Sequence, residues 1–104
     1  MEFKRECLPK VKSIAEDLNY MNYDEMLEYF DDYLDVKYLA NRWGDYYSAL
    51  IWVSLGGPNI WIDTKESVVK LAWGGECVEW GLKLDTVIKI DEIFAEHYYN
   101  LKHN

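Results

Sequence analysis

The sequence predicts a single α+β domain, in which an antiparallel sheet of four or five strands carries two N-terminal helices and one C-terminal helix. Three observations predict it. Apolar residues recur at helical spacing near both ends of the chain, they alternate or run together in short segments between residues 36 and 82, and glycine-containing or polar turns separate those segments. A chain of 104 residues has room for one core, so 1–104 is predicted to be one domain.

Two helices are predicted before the sheet. The first covers 8–18, where Pro9 suits a first helical turn. Asn22 followed three residues later by Glu25 forms a capping box, which predicts that a second helix begins there and covers 23–35. Its predicted core stripe consists of four residues that fall on one side of the helix, namely Tyr23, Leu27, Phe30 and Leu34.

The strands are predicted to form a meander. A short edge strand covers 36–40, and 46–55 is apolar on both alternating sets, which is typical of a central strand. The remaining strands are predicted over 60–63, 68–73 and 77–82. Because only short turns separate them, neighbouring strands should be antiparallel.

The final helix is predicted over 86–101, with Asp85 or Thr86 as its N-cap, and should pack across one face of the sheet. Its predicted apolar face is Val87, Ile90, Phe94, Tyr98 and Leu101, with Ile93 beside it.

The net charge of −8 is concentrated in one segment. Residues 1–18 sum to zero, 19–35 carry six acids and no base, and 36–104 sum to −2. Direct nucleic-acid binding needs a basic footprint and is therefore disfavoured. The six acids are Asp24, Glu25, Glu28, Asp31, Asp32 and Asp35.

The chain is expected to be a cytoplasmic protein with reduced thiols and no membrane partner. Charged residues interrupt the N-terminal region where a signal peptide needs an apolar run, and no apolar stretch approaches about 18 residues. Cys7 and Cys77 stand alone, without a second cysteine or histidine at ligand spacing.

Catalytic, metal and cofactor sites are not predicted. His97 and His103 have no nucleophile or acid at suggestive spacing, and Gly56-Gly57-Pro58 leads into a strand, whereas a phosphate-binding loop leads into a helix. The acids of 24–35 lack the central glycine of a calcium loop. An enzyme is the least favoured class.

Two segments of the second half of the chain carry a family resemblance. They are Gly56-Gly57-Pro58-Asn59-Ile60-Trp61-Ile62-Asp63-Thr64 and the run 85–96, which contains Ile90-Asp91-Glu92-Ile93-Phe94-Ala95-Glu96. Both segments resemble small proteins of phages and integrative elements. The resemblance implies a context: acidic proteins of this size on mobile elements look like inhibitors of host defence, of the anti-CRISPR or anti-restriction kind.

The acidic helix is the first candidate binding surface. Asp24, Glu28, Asp31 and Asp35 follow one another at steps of four, three and four residues, or ~4.5–6 Å per step, a spacing comparable with successive phosphates. Exposed helices usually interleave Lys with Glu, and here no base interrupts the acids. The acids either form a solvated face or imitate nucleic acid toward a cationic partner. The full candidate set adds Glu25 and Asp32, with Tyr29 and Tyr33 as apolar anchors.

Trp52 and Trp61 are the second candidate. If the terminal helix covers the face of Ile60 and Ile62, the two tryptophans lie together on the far face, where they would be a binding hot spot. If the first helices cover that far face, both tryptophans belong to the core. A homodimer interface is the third possibility, so a monomer and a homodimer both stay open.

Three functions remain. The leading hypothesis is a host-defence inhibitor that binds a host nuclease or nucleoprotein defence complex and blocks nucleic-acid access. The main alternative is an antitoxin or immunity protein that neutralises a basic nuclease toxin. The third is a host-takeover adaptor or small homodimer whose function does not involve nucleic acid and whose binding would be insensitive to salt.

Overall fold

The structure is a computed structural model that describes residues 2–102, and the side chains from residue 5 onward. Helix α1 and helix α2 precede the sheet, and a single 3-10 turn follows α2 directly. Helix α3 ends the described chain. The elements are α1 (Glu2–Tyr20), α2 (Tyr23–Tyr29), the 3-10 turn (Phe30–Asp32), β1 (Asp35–Ala40), β2 (Tyr46–Ser54), β3 (Asn59–Asp63), β4 (Val68–Trp73), β5 (Glu76–Gly81) and α3 (Leu84–Lys102).

The predicted fold class is confirmed. The five strands form one antiparallel sheet in the order β1-β2-β3-β4-β5, which is a simple meander. Gly74 and Gly75 form the two-residue connection between β4 and β5, both with positive φ (62° and 86°). Two successive positive φ values are what a tight type I′ hairpin turn requires, and glycine adopts them without strain.

All three helices cover the same face of the sheet. Helix α1 packs on β4 and β5, and α3 packs on β2. Ile51, Ile62 and Val69 are paired across three neighbouring strands and are fully buried beneath the helices. Side chains alternate between the faces of a strand, so Trp52, Trp61 and Lys70 lie on the opposite face. We call this opposite face, which no described helix covers, the open face.

The prediction for the first helix was too short. Helix α1 begins at Glu2, and Pro9 lies inside it rather than in its first turn. Cys7 and Val11 lie on either side of Pro9 and are both buried. Packing on β4 and β5 therefore outweighs the loss of the one backbone hydrogen bond that Pro9 cannot donate.

The predicted helix over 23–35 was wrong in its length. Helix α2 ends at Tyr29, one 3-10 turn follows, and Asp35 already belongs to β1. The backbone leaves the helix because the Leu34 N–H donates a hydrogen bond to the carbonyl of Trp52 at 2.9 Å. This bond joins the segment to the edge of β2, and it competes with continued helix.

The predicted core stripe of α2 was wrong in two of its four positions. Leu27 and Leu34 are 42% and 56% exposed, whereas Phe30 is buried as predicted and Tyr23 is partly buried. Met26 is fully buried in their place. Phe30 packs edge-on against Phe94 of α3, with ring centroids 5.3 Å apart, and this contact sets the rotation of the helix.

Helix α3 begins earlier than predicted and leaves its last turn exposed. The Asn19 side-chain oxygen accepts hydrogen bonds from the Lys83 N–H (2.9 Å) and the Thr86 hydroxyl (2.8 Å), so a distant residue organises the start at Leu84. Four apolar residues of this helix are buried, namely Val87, Ile90, Ile93 and Phe94. The placement of Leu101 on the core face was wrong, since it is 65% exposed.

Candidate protein-binding site

The end of α1, helix α2 and the 3-10 turn together form an acidic concave region. One open concavity of about 600 Å³ is lined by Glu25, Glu28, Tyr29, Asp32, Tyr33 and Val53. A second, of about 540 Å³, is lined by Glu16, Asp17, Tyr20, Met21 and Glu25. Glu25 lines both, so the two concavities adjoin at this residue. We call the five carboxylates of this region, Glu16, Asp17, Glu25, Glu28 and Asp32, the acidic surface.

The acidic surface is not neutralised by the described part of its own chain. Among residues 5–102 the one ion pair joins Lys70 and Asp63 at 4.0 Å, and both residues lie in the sheet. Two lysines approach the region without pairing with its carboxylates. The Lys83 ammonium lies 5.0 Å from the ring centroid of Tyr20, and Lys89 donates to the carbonyl of Met21 at 3.5 Å.

Glu25 has a second role at the start of α2. Its carboxylate accepts the Asn22 N–H at 2.9 Å, and the Asn22 side chain accepts the Glu25 N–H at 2.8 Å. The predicted capping box is therefore confirmed. These two reciprocal bonds fix the beginning of α2 and hold Glu25 between the two concavities.

Tyr29 and Tyr33 are rigid aromatic walls of the first concavity. Tyr29 packs edge-on against Phe30 at 5.0 Å, and Tyr33 packs edge-on against Phe94 at 5.4 Å. Burial, and secondarily the nearby charge of Asp17, raises the pKa of Tyr29, so its hydroxyl remains a hydrogen-bond donor. Partly buried rings that are already held in place lose little conformational entropy when a partner docks on them.

The predicted ladder of carboxylates along one helix was wrong. Asp35 belongs to β1 and pairs with Trp52 on the open face, because the chain leaves the helix after Tyr29. Asp24 and Asp31 are exposed but line neither concavity. The structure thus brings together five predicted residues, Glu25, Glu28, Tyr29, Asp32 and Tyr33, as a patch rather than a row.

Sequence reasoning missed Glu16, Asp17 and Tyr20. The charges of 1–18 cancel when summed, and this sum hides the fact that the last base of that stretch is Lys12. The turn between α1 and α2 comprises only residues 21–22, so the acidic end of α1 lies beside the start of α2. Charge counted over the last helical turn before a short connection would have found these residues.

Trp52 and Trp61 do not belong to the acidic surface. They are partly buried and stack on the open face, with centroids 5.9 Å apart and ring planes at 22°. The first of the two predicted placements therefore holds, and the placement beneath the N-terminal helices was wrong, because those helices cover the same face as α3.

Within residues 5–102 no group of three or more His, Cys, Asp or Glu side chains is placed to hold a metal ion. His97 packs edge-on against Phe94 with centroids 5.1 Å apart.

Of the helices described, none combines the length and the apolarity that crossing a membrane requires.

Comparisons with known proteins give no relative from which a role could be transferred. No protein-family model, no curated protein and no solved structure matches this chain. A fold by itself does not specify a function, and the acidic surface is therefore the basis on which function has to be inferred.

Proposed function

We propose that this protein binds a nucleic-acid-processing protein through the acidic surface and blocks the groove in which nucleic acid would lie. One observation carries the proposal. Five carboxylates surround two adjoining concavities, and no described lysine or arginine of the chain lies within 4.0 Å of any of them. A groove that holds phosphates presents lysines and arginines, and these would find replacement acceptors in the carboxylates.

Charge and aromatic contact have different tasks in this interaction. The net charge of −8 speeds the encounter with a basic groove and makes association sensitive to salt. Tyr29 and Tyr33 supply apolar area at the centre of the patch, where most binding energy is usually concentrated. The acidic surface would resemble nucleic acid in its local density of negative charge, and not in a regular spacing of phosphates.

The class that we propose is a host-defence inhibitor of the anti-CRISPR or anti-restriction kind, acting in the host cytoplasm. Its target would be a host nuclease or nucleoprotein defence complex. The resemblance of 56–64 and 85–96 to proteins of phages and integrative elements supports this class, and the acidic surface supports the mechanism.

The test is competition with nucleic acid for a purified defence nuclease, measured by fluorescence anisotropy of labelled DNA. The wild-type protein should displace the DNA, and less well as salt rises. The double variant Glu28→Lys with Asp32→Lys should displace it at least about 30-fold less well, equivalent to about 2 kcal/mol.

A matched control is the double variant Glu66→Lys with Glu76→Lys. It makes the same change in net charge at two exposed positions outside the acidic surface, one in the turn after β3 and one at the first residue of β5. Its displacement of DNA should fall less than about threefold. Equal loss in both doubles would show that net charge alone acts and would refute the proposed surface. If the protein neutralises a nuclease toxin on co-expression and has no effect on phage defence, the defence-inhibitor hypothesis is wrong and the antitoxin hypothesis takes its place.

A further inference from the structure

We propose that the open face is a homodimer interface, in which two copies of the chain pack sheet to sheet about a twofold axis. The axis lies between β2 and β3 and runs parallel to them. This interaction is separate from the proposed function, because the acidic surface lies among the helices on the other side of the sheet.

A row of five paired residues crosses the open face, one from each strand. In order they are Asp35, Trp52, Trp61, Lys70 and Glu79. The two tryptophans stack at the centre, and a charged residue follows on either side. A contiguous aromatic patch with a polar border is the composition of a protein interface rather than of ordinary surface.

The row is complementary to itself under the proposed symmetry, because aromatic residues face aromatic residues and opposite charges face each other. A twofold rotation about an axis between β2 and β3 places β2 over β3 of the second copy, and β1 over its β4. Trp52 then faces Trp61 of the other copy, and Asp35 faces Lys70 of the other copy. Each contact occurs twice, as an isologous interface requires.

Other positions of the axis lack this match. An axis between β3 and β4 would place Trp61 over Lys70 and Trp52 over Glu79, which would bury charge against indole without a counter-charge. Only the axis between β2 and β3 brings the two tryptophans together and the opposite charges together.

The charges involved have their own contacts within the chain. Lys70 lies 4.0 Å from Asp63, and Lys37 lies 5.7 Å from the ring centroid of Trp52. One oxygen of Asp35 accepts the Val36 N–H, and its second oxygen has no described partner. The Lys70–Asp63 separation of 4.0 Å is long for an ion pair, and Lys70 is itself partly exposed, so Lys70 and Asp35 remain able to pair between copies.

The dimer should be weak and concentration-dependent. With β5 outside the overlap, four strands of about six residues span a flat area of roughly 400 Å² per copy, below the roughly 800 Å² of a standard interface. The two acidic surfaces face away from each other, and the Debye length of about 8 Å at physiological salt limits their repulsion. Dissociation constants of roughly 10–100 μM are therefore expected.

Sedimentation equilibrium of the full chain tests the proposal. Wild type should dimerise between about 10 and 500 μM. In the variant Asp35→Lys, a lysine at position 35 faces Lys70 of the other copy at both symmetry-related places. In the variant Lys70→Glu, a glutamate at position 70 likewise faces Asp35 at both places. Each variant alone should dissociate at least about tenfold more readily. An equimolar mixture of the two should recover the wild-type affinity, because every facing pair is then of opposite charge.

Glu28→Lys is the matched control for Asp35→Lys, since it changes the net charge equally but lies on the acidic surface. It should leave the dimer intact or tighten it slightly. Wild type that stays monomeric at 500 μM, equal dissociation of the two variants Glu28→Lys and Asp35→Lys, or a mixture that fails to recover would each overturn the proposal. Circular dichroism of every variant excludes unfolding as the cause.

Discussion

At the scale of single residues, the hydrogen-bonded pair Tyr46 and Asp91 shows how burial changes titration in this protein. The Tyr46 hydroxyl donates to the carboxylate of Asp91 at 2.5 Å across the contact between β2 and α3. Burial raises the pKa of Asp91 above its ordinary value, and the hydrogen bond from Tyr46 opposes this rise only in part. Burial also raises the pKa of Tyr46, with Asp91 adding to the effect. Folding therefore favours the protonated carboxyl.

This shift predicts a pH trend for Asp91→Asn. An unfolded Asp titrates near about pH 3.9. Above that value the folded wild type retains a proton that the unfolded chain releases, so the contribution of Asp91 is largest below it and is lost as pH rises through the higher folded pKa. The free energy of unfolding of wild type minus that of Asp91→Asn should therefore fall as pH rises above about 3.9, the unfolded value.

Urea unfolding at several pH values measures this difference. Glu92→Gln, which removes an exposed carboxylate from the same helix, controls for the loss of a negative charge as such. A difference that rises with pH would contradict the assigned direction of the pKa shift.

At the scale of elements, the strands were predictable from sequence and the second helix only in part. The five strands lie within one or two residues of their predictions, because Gly-rich or polar turns punctuate short apolar segments. The capping box located the start of α2, since both of its residues are local in sequence. Its end and its rotation depend on Trp52 and Phe94, which are distant in sequence, and periodicity alone could not supply them.

The observed rotation of α2 predicts unequal costs for two neighbouring truncations. Met26→Ala removes a fully buried side chain and should lower the free energy of unfolding by about 2–4 kcal/mol. Leu27→Ala removes a side chain that is 42% exposed and should cost about 1 kcal/mol or less. Chemical denaturation of both variants provides the measurement. If Leu27→Ala lowered the free energy of unfolding more than Met26→Ala does, the core stripe predicted from periodicity would be right and the observed rotation of α2 wrong.

The candidate site was predictable to the same extent as α2. The run of acids without a base led to a set of candidate residues, five of which line one concavity. The carboxylates of α1 join the acidic surface because two helices meet at a short turn, and this tertiary arrangement is not visible in local sequence patterns. Trp52 and Trp61 were correctly predicted to lie together. They are separated from the acidic surface because all three helices pack on the face of the sheet opposite to the two tryptophans.

At the scale of the whole molecule, the distribution of charge lowers the stability of the fold. Carboxylates crowd the helical layer, and the described lysines are engaged mainly with rings, with backbone carbonyls or, in the case of Lys70, with Asp63. Repulsion among the acids favours unfolding, and added salt screens it. A surface selected only for stability would interleave the two signs of charge.

Salt should therefore stabilise the isolated protein. Raising NaCl from about 20 mM to about 500 mM should raise Tm by roughly 4 °C, which corresponds to about 1 kcal/mol for a domain of this size. The double variant Glu28→Lys with Asp32→Lys should show a smaller rise, because part of the repulsion is already removed. Thermal unfolding followed by circular dichroism is the measurement. A Tm that falls with salt would mean that attractive pairs dominate the surface.

The packing of α1 on β4 and β5 has a consequence for synthesis in the cell. Helix α1, which is synthesised before the sheet, buries Val11, Ala15 and Leu18 against β4 and β5, the last two strands of the meander to be made. At roughly 5–20 residues per second, its apolar stripe waits on the order of several seconds for that surface to emerge. The strands between them can assemble hairpin by hairpin during this interval, and docking of α1 then joins the segment before the meander to its last two strands.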